Sequence, residues 1–339
     1  MKKVFLVPLT IVLISGLLFG GCAQPAPAPA PAPTPAEPIN LRLVSSLPEV
    51  TFPIKPLLIW RDKVNEQAKG ELTIEYLGGP EIIAPGDQAI SVQKGVLEMA
   101  YTFSGAYVGL VPGAEAFTLS RIPLAEERRK GVYDFLQPQY AKNNLYLLGR
   151  LVSGPQGEYF YVATIKPVKS LSDMVGLKIA SFSPAMIHFF AALGGSGPVI
   201  GPPDIYTALE RGVVDGAWLP IHDHVTFGLV EVETTLIDHG FGSDNFTVYL
   251  NLDTWNGLPK HLQDLLTQTL IDTDTEFESI YREQNKKDRQ AMLDTGIEFV
   301  TFSPAEAEKY INTCFDAEWG DLIEKYPQIG TKLKELLSK

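Results

Sequence analysis

The sequence predicts an α/β protein of two lobes, and three observations carry that prediction. The chain has 339 residues, enough for two domains that each bury a core. Segments that alternate as strands are followed by segments with helical spacing, the order that builds parallel-rich sheets covered on both faces. Two stretches nearly repeat each other: residues 92–101 read VQKGVLEMAY and residues 209–218 read LERGVVDGAW. In each, a helix runs out at a cation, Lys94 or Arg211, that complements the helix dipole. A glycine, Gly95 or Gly212, then fits the left-handed position just past the helix end. An apolar strand with one acid closes on an aromatic, Tyr101 or Trp218. One supersecondary unit used twice implies one copy per lobe and a cleft between the lobes. Ligands of open α/β sheets sit outside the carboxyl ends of the strands, so these two aromatics mark where to look.

The elements follow in order. Lys2 and Lys3, an apolar run over 4–18 and Gly20-Gly21-Cys22 have the layout of a secretory signal, and the run is short for a membrane span. Residues 23–38 are a Pro/Ala tether whose extended form, at ~3.1 Å per residue, reaches about 50 Å. The body starts at Asn40 with a strand, NLRLVSSL. A helix over 55–69 ends at Gly70, and residues 71–77 alternate as a strand. Asp87 caps a helix running to Gly95, and 96–102 is the third strand. The second lobe repeats the order with a strand over 177–182 and a helix capped by Ser183-Pro184 and ending at Gly194. A short strand at 198–200, a helix over 204–211 and a strand over 213–219 complete it. Beyond Leu250 the pattern turns helical. Trp255 and Leu258-Pro259 open a helix through Lys287, acids first and bases last, long enough to span both lobes. Ser303-Pro304-Ala305-Glu306 is a capping box for the last large helix.

Composition narrows the function. A net charge of −12 speaks against a nucleic-acid partner and for a soluble chain expected to stay monomeric. Catalytic signatures are missing: there is no P-loop, no H-E-x-x-H, no G-x-S-x-G, and Gly194-Gly195-Ser196-Gly197 follows a helix rather than a strand. No cofactor is expected. His222-Asp223-His224 is the one cluster with metal-ligand character, but it follows Pro220 and reads as a loop with no third ligand located. His188 lies in an apolar helix and reads as a core residue, as does Cys314, which has no partner for a disulfide if Cys22 is modified. Around the strand ends, Thr102, Ser104, Ser181, Phe182 and Ser183 mix apolar walls with hydroxyl donors, as small-molecule pockets do.

The run from Ser170, SLSDMVGLKIASFSPAMIHFFAALGGSGPVIGPPDIYTALERGVVDGAWLP, resembles the solute-binding proteins of TRAP transporters, the DctP family. GELTIE at 70–75, VQKGVLEMAY, KPVKSLSDMVGLKI at 166–179, Asp238-His239 and WNGLP at 255–259 extend the likeness over most of the mature chain. The resemblance implies a two-lobe, periplasmic-binding-protein-like fold (type II-like) with crossing strands and a long hinge-spanning helix. Its lobes would be 39–157 with 245–287, and 158–244 with 288–339. It implies an extracytoplasmic, non-enzymatic receptor that closes on an organic solute and delivers it to a membrane permease. The start resembles a bacterial lipobox, which implies lipidation of Cys22 and anchoring to the membrane.

The family's ligand-pairing arginine falls at Ala180, a second basic position falls near Phe160, and the polar residue before the V-D-G motif's proline is Leu219. The expected ligand set is therefore Tyr101, Thr102, Phe160, Ala180, Phe182, Trp218, Leu219 and His222, with Arg121, Arg150 and His222 as cations able to replace the missing clamp. This set favours a larger, more apolar or aromatic solute than a C4 dicarboxylate. Two other readings compete with transport: a secreted metal-dependent enzyme using His222, Asp223 and His224, and a ligand-sensing lipoprotein.

Overall fold

The computed structural model describes residues 37–152, 154–181 and 186–338, without the side chains of 202 and 203. The signal segment with Cys22, all but the last two tether residues, Phe182 and the Ser183-Pro184 cap lie outside the described residues. Lobe I carries β1 (Ile39–Ser45), α1 (Lys55–Gln67), β2 (Leu72–Gly78), α2 (Pro85–Gln93), β3 (Met99–Phe103), α3 (Leu124–Arg129), α4 (Val132–Ala141) and β4 (Leu145–Arg150). The chain then enters lobe II with β5 (Phe160–Thr164), β6 (Ile179–Ala180), α5 (Met186–Ala192), α6 (Pro202–Glu210), β7 (Gly216–Pro220), α7 (Ile221–Thr226) and β8 (Thr235–Phe241). It returns with β9 (Phe246–Asn251) and α8 (Leu252–Gly257), and finishes with α9 (Lys260–Asp294), β10 (Glu298–Val300), α10 (Pro304–Lys325) and α11 (Pro327–Leu337).

The strand order is β2-β1-β3-β9-β4 in one sheet and β10-β8-β5-β7-β6 in the other. Both sheets are mixed. β9 runs antiparallel to β3 and β4, and β5 runs antiparallel to β7 and β8. These two strands are the ones that arrive from the opposite lobe. A chain crossing between lobes enters a sheet at the end where the parallel strands leave it, so it has to run backwards. Helix-strand alternation predicts the parallel pairs and misses this reversal.

The repeated unit has the same local geometry in both places. Gly95 and Gly212 have φ of 70° and 65°. Their N–H groups donate to Val92 O and Leu209 O, and the next residues donate to Ser91 O and Ala208 O. These bonds hold 95–97 and 212–214 in a turn and leave Val96 and Val213 57% and 56% exposed, so the strands start later than their apolar runs suggest. The acid that follows the glycine in each unit, Glu98 or Asp215, pins the neighbouring strand. Glu98 accepts from Arg42 N and its guanidinium, and Asp215 accepts from Lys178 N while pairing with Lys166 at 2.5 Å. Burial raises both carboxyls, but these donors outweigh it and hold them below the usual range.

Other predicted boundaries move for identifiable reasons. Pro85 starts α2 two residues before Asp87, which serves as a first-turn acid instead of a cap. Residues 198–200 make one isolated bridge, Ser181 to Val199, rather than a strand. The Ser303 cap forms as expected, its Oγ accepting from Glu306 N. α9 runs 35 residues, about 52 Å at 1.5 Å per residue, and packs on α1 in lobe I and α7 in lobe II. α11 packs chiefly on α10 and also reaches lobe I. It packs on α4, Leu337 O accepts from Arg121 N, and Leu336 O accepts from Lys130.

The two crossings, residues 151–159 and 242–245, are stitched together. Tyr159 N donates to Gly242 O, Gly157 N donates to Ser243 Oγ, and Ser243 Oγ donates to Ser120 O. Arg150, at the root of the first crossing, has no solvent exposure. Its Nη1 lies 2.5 Å from Glu127 Oε1, and its Nη2 donates to Asp244 O of the second crossing and to Gln156 Oε1. Glu127, equally buried, also accepts from Ser120 and Tyr133. Removing one member strands the other's charge, so Glu127→Ala is expected to cost about 3–5 kcal/mol in urea unfolding. The double variant Glu127→Ala/Arg150→Met should recover much of that loss. Additive losses in the double-mutant cycle would show that the pair is not coupled.

Candidate functional site

Each sheet ends in an aromatic rung. In lobe II the last rung joins Phe160 to Pro220 on one side and to Phe241 on the other. The Phe160 ring stacks on Trp218 at 4.1 Å, Trp218 stacks on Phe241 at 5.4 Å, and Phe189 of α5 meets Phe241 edge-on at 4.5 Å. Gly242 permits this closeness, since a Cβ there would stand 3.2 Å from Trp218 and 3.3 Å from Phe160. In lobe I the last rung pairs Phe103 with Phe246, which also stacks on Tyr101 at 5.1 Å. Phe241 and Phe103 are absent from the sequence-derived set. The strand-end aromatic criterion finds both once the strands are given their true ends.

The predicted residues do not all meet. Tyr101 and Trp218 sit in the middle of their strands because those strands begin late. The Tyr101 hydroxyl is fully buried between Pro53 O and Leu151 O, and burial pushes its phenol well above the ordinary range. Thr102 Oγ1 donates to Gln88 and accepts from Tyr249, so it serves the lobe I interior. Side chains alternate along a strand, and this separates the lobe II candidates. Phe160 and Trp218 lie on the α5 and α10 face, whereas Ala180 and Leu219 pack into the α6 face with Ile205, Leu209 and Ala217. An arginine at 180 would stand in that apolar cluster.

The histidine cluster does not assemble a metal site. Residues 221–226 form α7 rather than a loop, and residues two apart on a helix point about 200° from each other. His222 lies between the lobes, its ring 5.0 Å from Phe52 of lobe I and 6.0 Å from Tyr159. Its Nε2 is 3.2 Å from Asp223 Oδ1 without hydrogen-bond geometry. His224 turns into lobe II and pairs with Glu233 at 2.9 Å, both fully buried. Among the described residues, no group of three or more His, Cys, Asp or Glu side chains is placed to hold a metal ion. His188 is on the outer face of α5, 3.5 Å from Asp321, rather than in the core, while Cys314 is buried as expected. Arg150 is taken up by Glu127, and Arg121 stands over the Phe315 ring at 4.7 Å.

Two mixed α/β sheets, a double crossing and a helix packed on both lobes are the architecture of a two-lobe solute-binding protein. The chain belongs to the bacterial extracellular solute-binding proteins of family 7, the DctP family, whose profile matches residues 44–317. It is 29% identical over 255 residues to a monocarboxylate 2-oxoacid-binding periplasmic protein of Nostoc, covering 71% of this chain and 68% of the relative. It is 25% identical over 271 residues to the C4-dicarboxylate-binding periplasmic protein DctP of Rhodobacter capsulatus, covering 77% and 79%. A TRAP periplasmic solute-binding protein of Desulfovibrio salexigens, solved with orotic acid, shares the fold at a TM-score of 0.75 and 19% identity over 88% of this chain and 97% of that one. A Shewanella oneidensis homologue with succinate gives 0.70 at 18% identity, over 88% and 98%. The family and these relatives are binding proteins. Among the described residues no helix is long and apolar enough to cross a membrane.

The His224–Glu233 pair makes lobe II stability depend on pH. Burial opposes the charged imidazole, but Glu233 outweighs it and holds His224 above its ordinary value of 6.5. The pair therefore contributes stability in full below about pH 6.5 and loses it as pH rises through the raised value. Thermal unfolding of the wild type and Glu233→Gln is expected to differ most at mildly acid pH, with the gap shrinking toward alkaline pH. A gap constant across that range would show that His224 stays neutral.

Proposed function

We propose that this chain captures a small organic acid with an aromatic or apolar body between its lobes and passes it to a TRAP-type membrane permease. The observation that carries this reading is the aromatic end of the lobe II sheet, where Phe160, at a position the family resemblance expects to be basic, stacks on Trp218 and Trp218 stacks on Phe241. The solved neighbours hold orotic acid, pyroglutamate and succinate, which supports a small carboxylate as the ligand class. Of these, a flat ring suits stacking surfaces better than a C4 chain does. Phe160 and Trp218 are the proposed wall, with Phe241 behind them and His222 at the lobe junction. Delivery to the permease is helped if the chain is a lipid-anchored monomer, because lipidation at Cys22 and the Pro/Ala tether would keep the receptor near the membrane at a raised local concentration.

A thermal-shift screen of the purified protein with orotate, pyroglutamate, benzoate, 2-oxoacids and succinate tests the ligand class. A ligand at about 100 times its Kd adds roughly 2.7 kcal/mol, which for a chain of this size raises Tm by several degrees. Ring-bearing acids should give the shift and succinate should not. Tight succinate binding with no response to aromatic acids would overturn the proposal. Trp218 is too deeply packed for a clean test, since truncating it leaves a cavity costing about 3–5 kcal/mol. Phe160→Leu, at the last rung, should instead weaken the effective ligand about tenfold while the chain stays folded. Radiolabelled palmitate should enter the wild type in cells and fail to enter Cys22→Ala.

A further inference from the structure

Beside the first crossing, and lined by none of the aromatic strand-end residues, lies a cavity of about 670 Å³. Its walls are the first crossing with Val152 and Gln156, the segment before α3 with Arg121 and Leu124, and the middle of α9 with Phe277 and Tyr281. The sequence singled out Arg121 and Arg150 as cations able to read a carboxylate, and the cleft uses neither.

The polar groups around this cavity are out of balance. Gln156 gives its Oε1 to Arg150 and leaves Nε2 buried with no hydrogen-bond partner. Arg150 Nε and Arg128 Nη2 are also buried and unpartnered. Both guanidinium groups are near enough to pull down the carboxyl of Asp274, which lines the cavity. Arg121, on the wall, has no carboxylate within ion-pair distance among the described residues. Buried donors normally have acceptors, and Gln156 Nε2, an orphan donor on the cavity wall with two further orphan guanidinium donors close enough to act on Asp274, indicates a group that accepts hydrogen bonds. Of the acids nearby, Glu127 is committed to Arg150, Ser120 and Tyr133, Glu278 pairs with Arg282 at 2.5 Å, and Asp274 makes no hydrogen bond to these donors.

We propose that this hinge-side cavity is a second binding site, for a small organic anion. Its carboxylate accepts from Gln156 Nε2 beside Arg121, with Arg128 and Arg150 supplying positive potential behind, and its apolar body lies against Leu124, Val152, Phe277 and Tyr281. Charge-assisted hydrogen bonds in a partly desolvated cavity are the strong kind, and the mixed lining resembles that of small-molecule sites in general. Asp274 sets the pH response. Burial raises its carboxyl to about 6, with Arg128 and Arg150 opposing the rise and Glu127 and Glu278 adding to it. Protonation below that value removes a negative charge from the wall, so anion binding tightens as pH falls.

The test uses 4-bromobenzoate on the purified protein, with the bromine located by anomalous scattering in soaked crystals. The expected peak lies in the cavity between Gln156 and Phe277. Titration should show binding weakened about tenfold by Gln156→Leu, the size of one charge-assisted hydrogen bond. Affinity should rise several-fold on lowering the pH through the carboxyl's value of about 6, and Asp274→Asn should remove that dependence. The neutral analogue 4-bromobenzyl alcohol should not bind. A bromine only in the interlobe cleft overturns this site while favouring the cleft reading, and a bromine only in the cavity does the reverse. Equal binding of the alcohol, or binding indifferent to both Gln156→Leu and Arg121→Leu, also overturns it.

Discussion

A guanidinium cut off from water stands where the chain first leaves lobe I, and the interlobe architecture is organised around neutralising it. A buried cation is tolerated only if it is paired and its donors are mostly used. Arg150 meets that demand with Glu127 from α3, Gln156 from the first crossing and Asp244 O from the second. One electrostatic requirement therefore holds α3, β4 and both crossings in a single arrangement. Ser243 and Ser120 extend it with hydrogen bonds that leave the two connectors little freedom to slide past each other. The junction between the lobes is thus fixed by charge as well as by apolar packing.

What the lobes present to each other follows from strand direction. Each sheet admits one strand from the opposite lobe, and that strand runs backwards, so Phe160 and Phe246 at the starts of β5 and β9 land level with the ends of the parallel strands. Starts and ends thus form one rung, with Phe241 opposite Phe160 and Phe103 opposite Phe246. The aromatic rungs at the sheet ends are in this sense a product of topology. Trp218 contributes by stacking upward from inside its strand, and Gly242 keeps the second crossing from pushing that stack apart.

Much of the fold was legible in the chain because its signals are local. Glycine at a helix end, a proline in a first turn and the period of apolar residues act within a few positions, so α1, β2, α6 and the Ser303 cap stand where their residues indicate, while the long helix starts only at Lys260 and runs on to Asp294. The near-repeat at 92–101 and 209–218 was the most informative signal, and its two copies have matching turns, exposed valines and strand-pinning acids. The candidate site was less legible. Reading Tyr101 and Trp218 as strand ends required knowing where the strands begin, and the turn after each glycine displaces that start by several residues.

By itself the sequence determined the α/β class, the duplicated unit, the long helix and the family, because each rests on residue types at short, fixed spacings. Only the tertiary structure decided which face each candidate occupies, and a one-residue step along a strand reverses that face. Ala180 and Leu219 thereby joined the α6 core, Tyr101 gave its hydroxyl to two carbonyls, and His222 and His224 parted on α7. Arg150 is the clearest case. Its sequence neighbours do not announce a buried ion pair, since Glu127 lies 23 positions away and Asp244 lies 94. Long-range desolvation and charge pairing, which leave no local pattern, assigned its role.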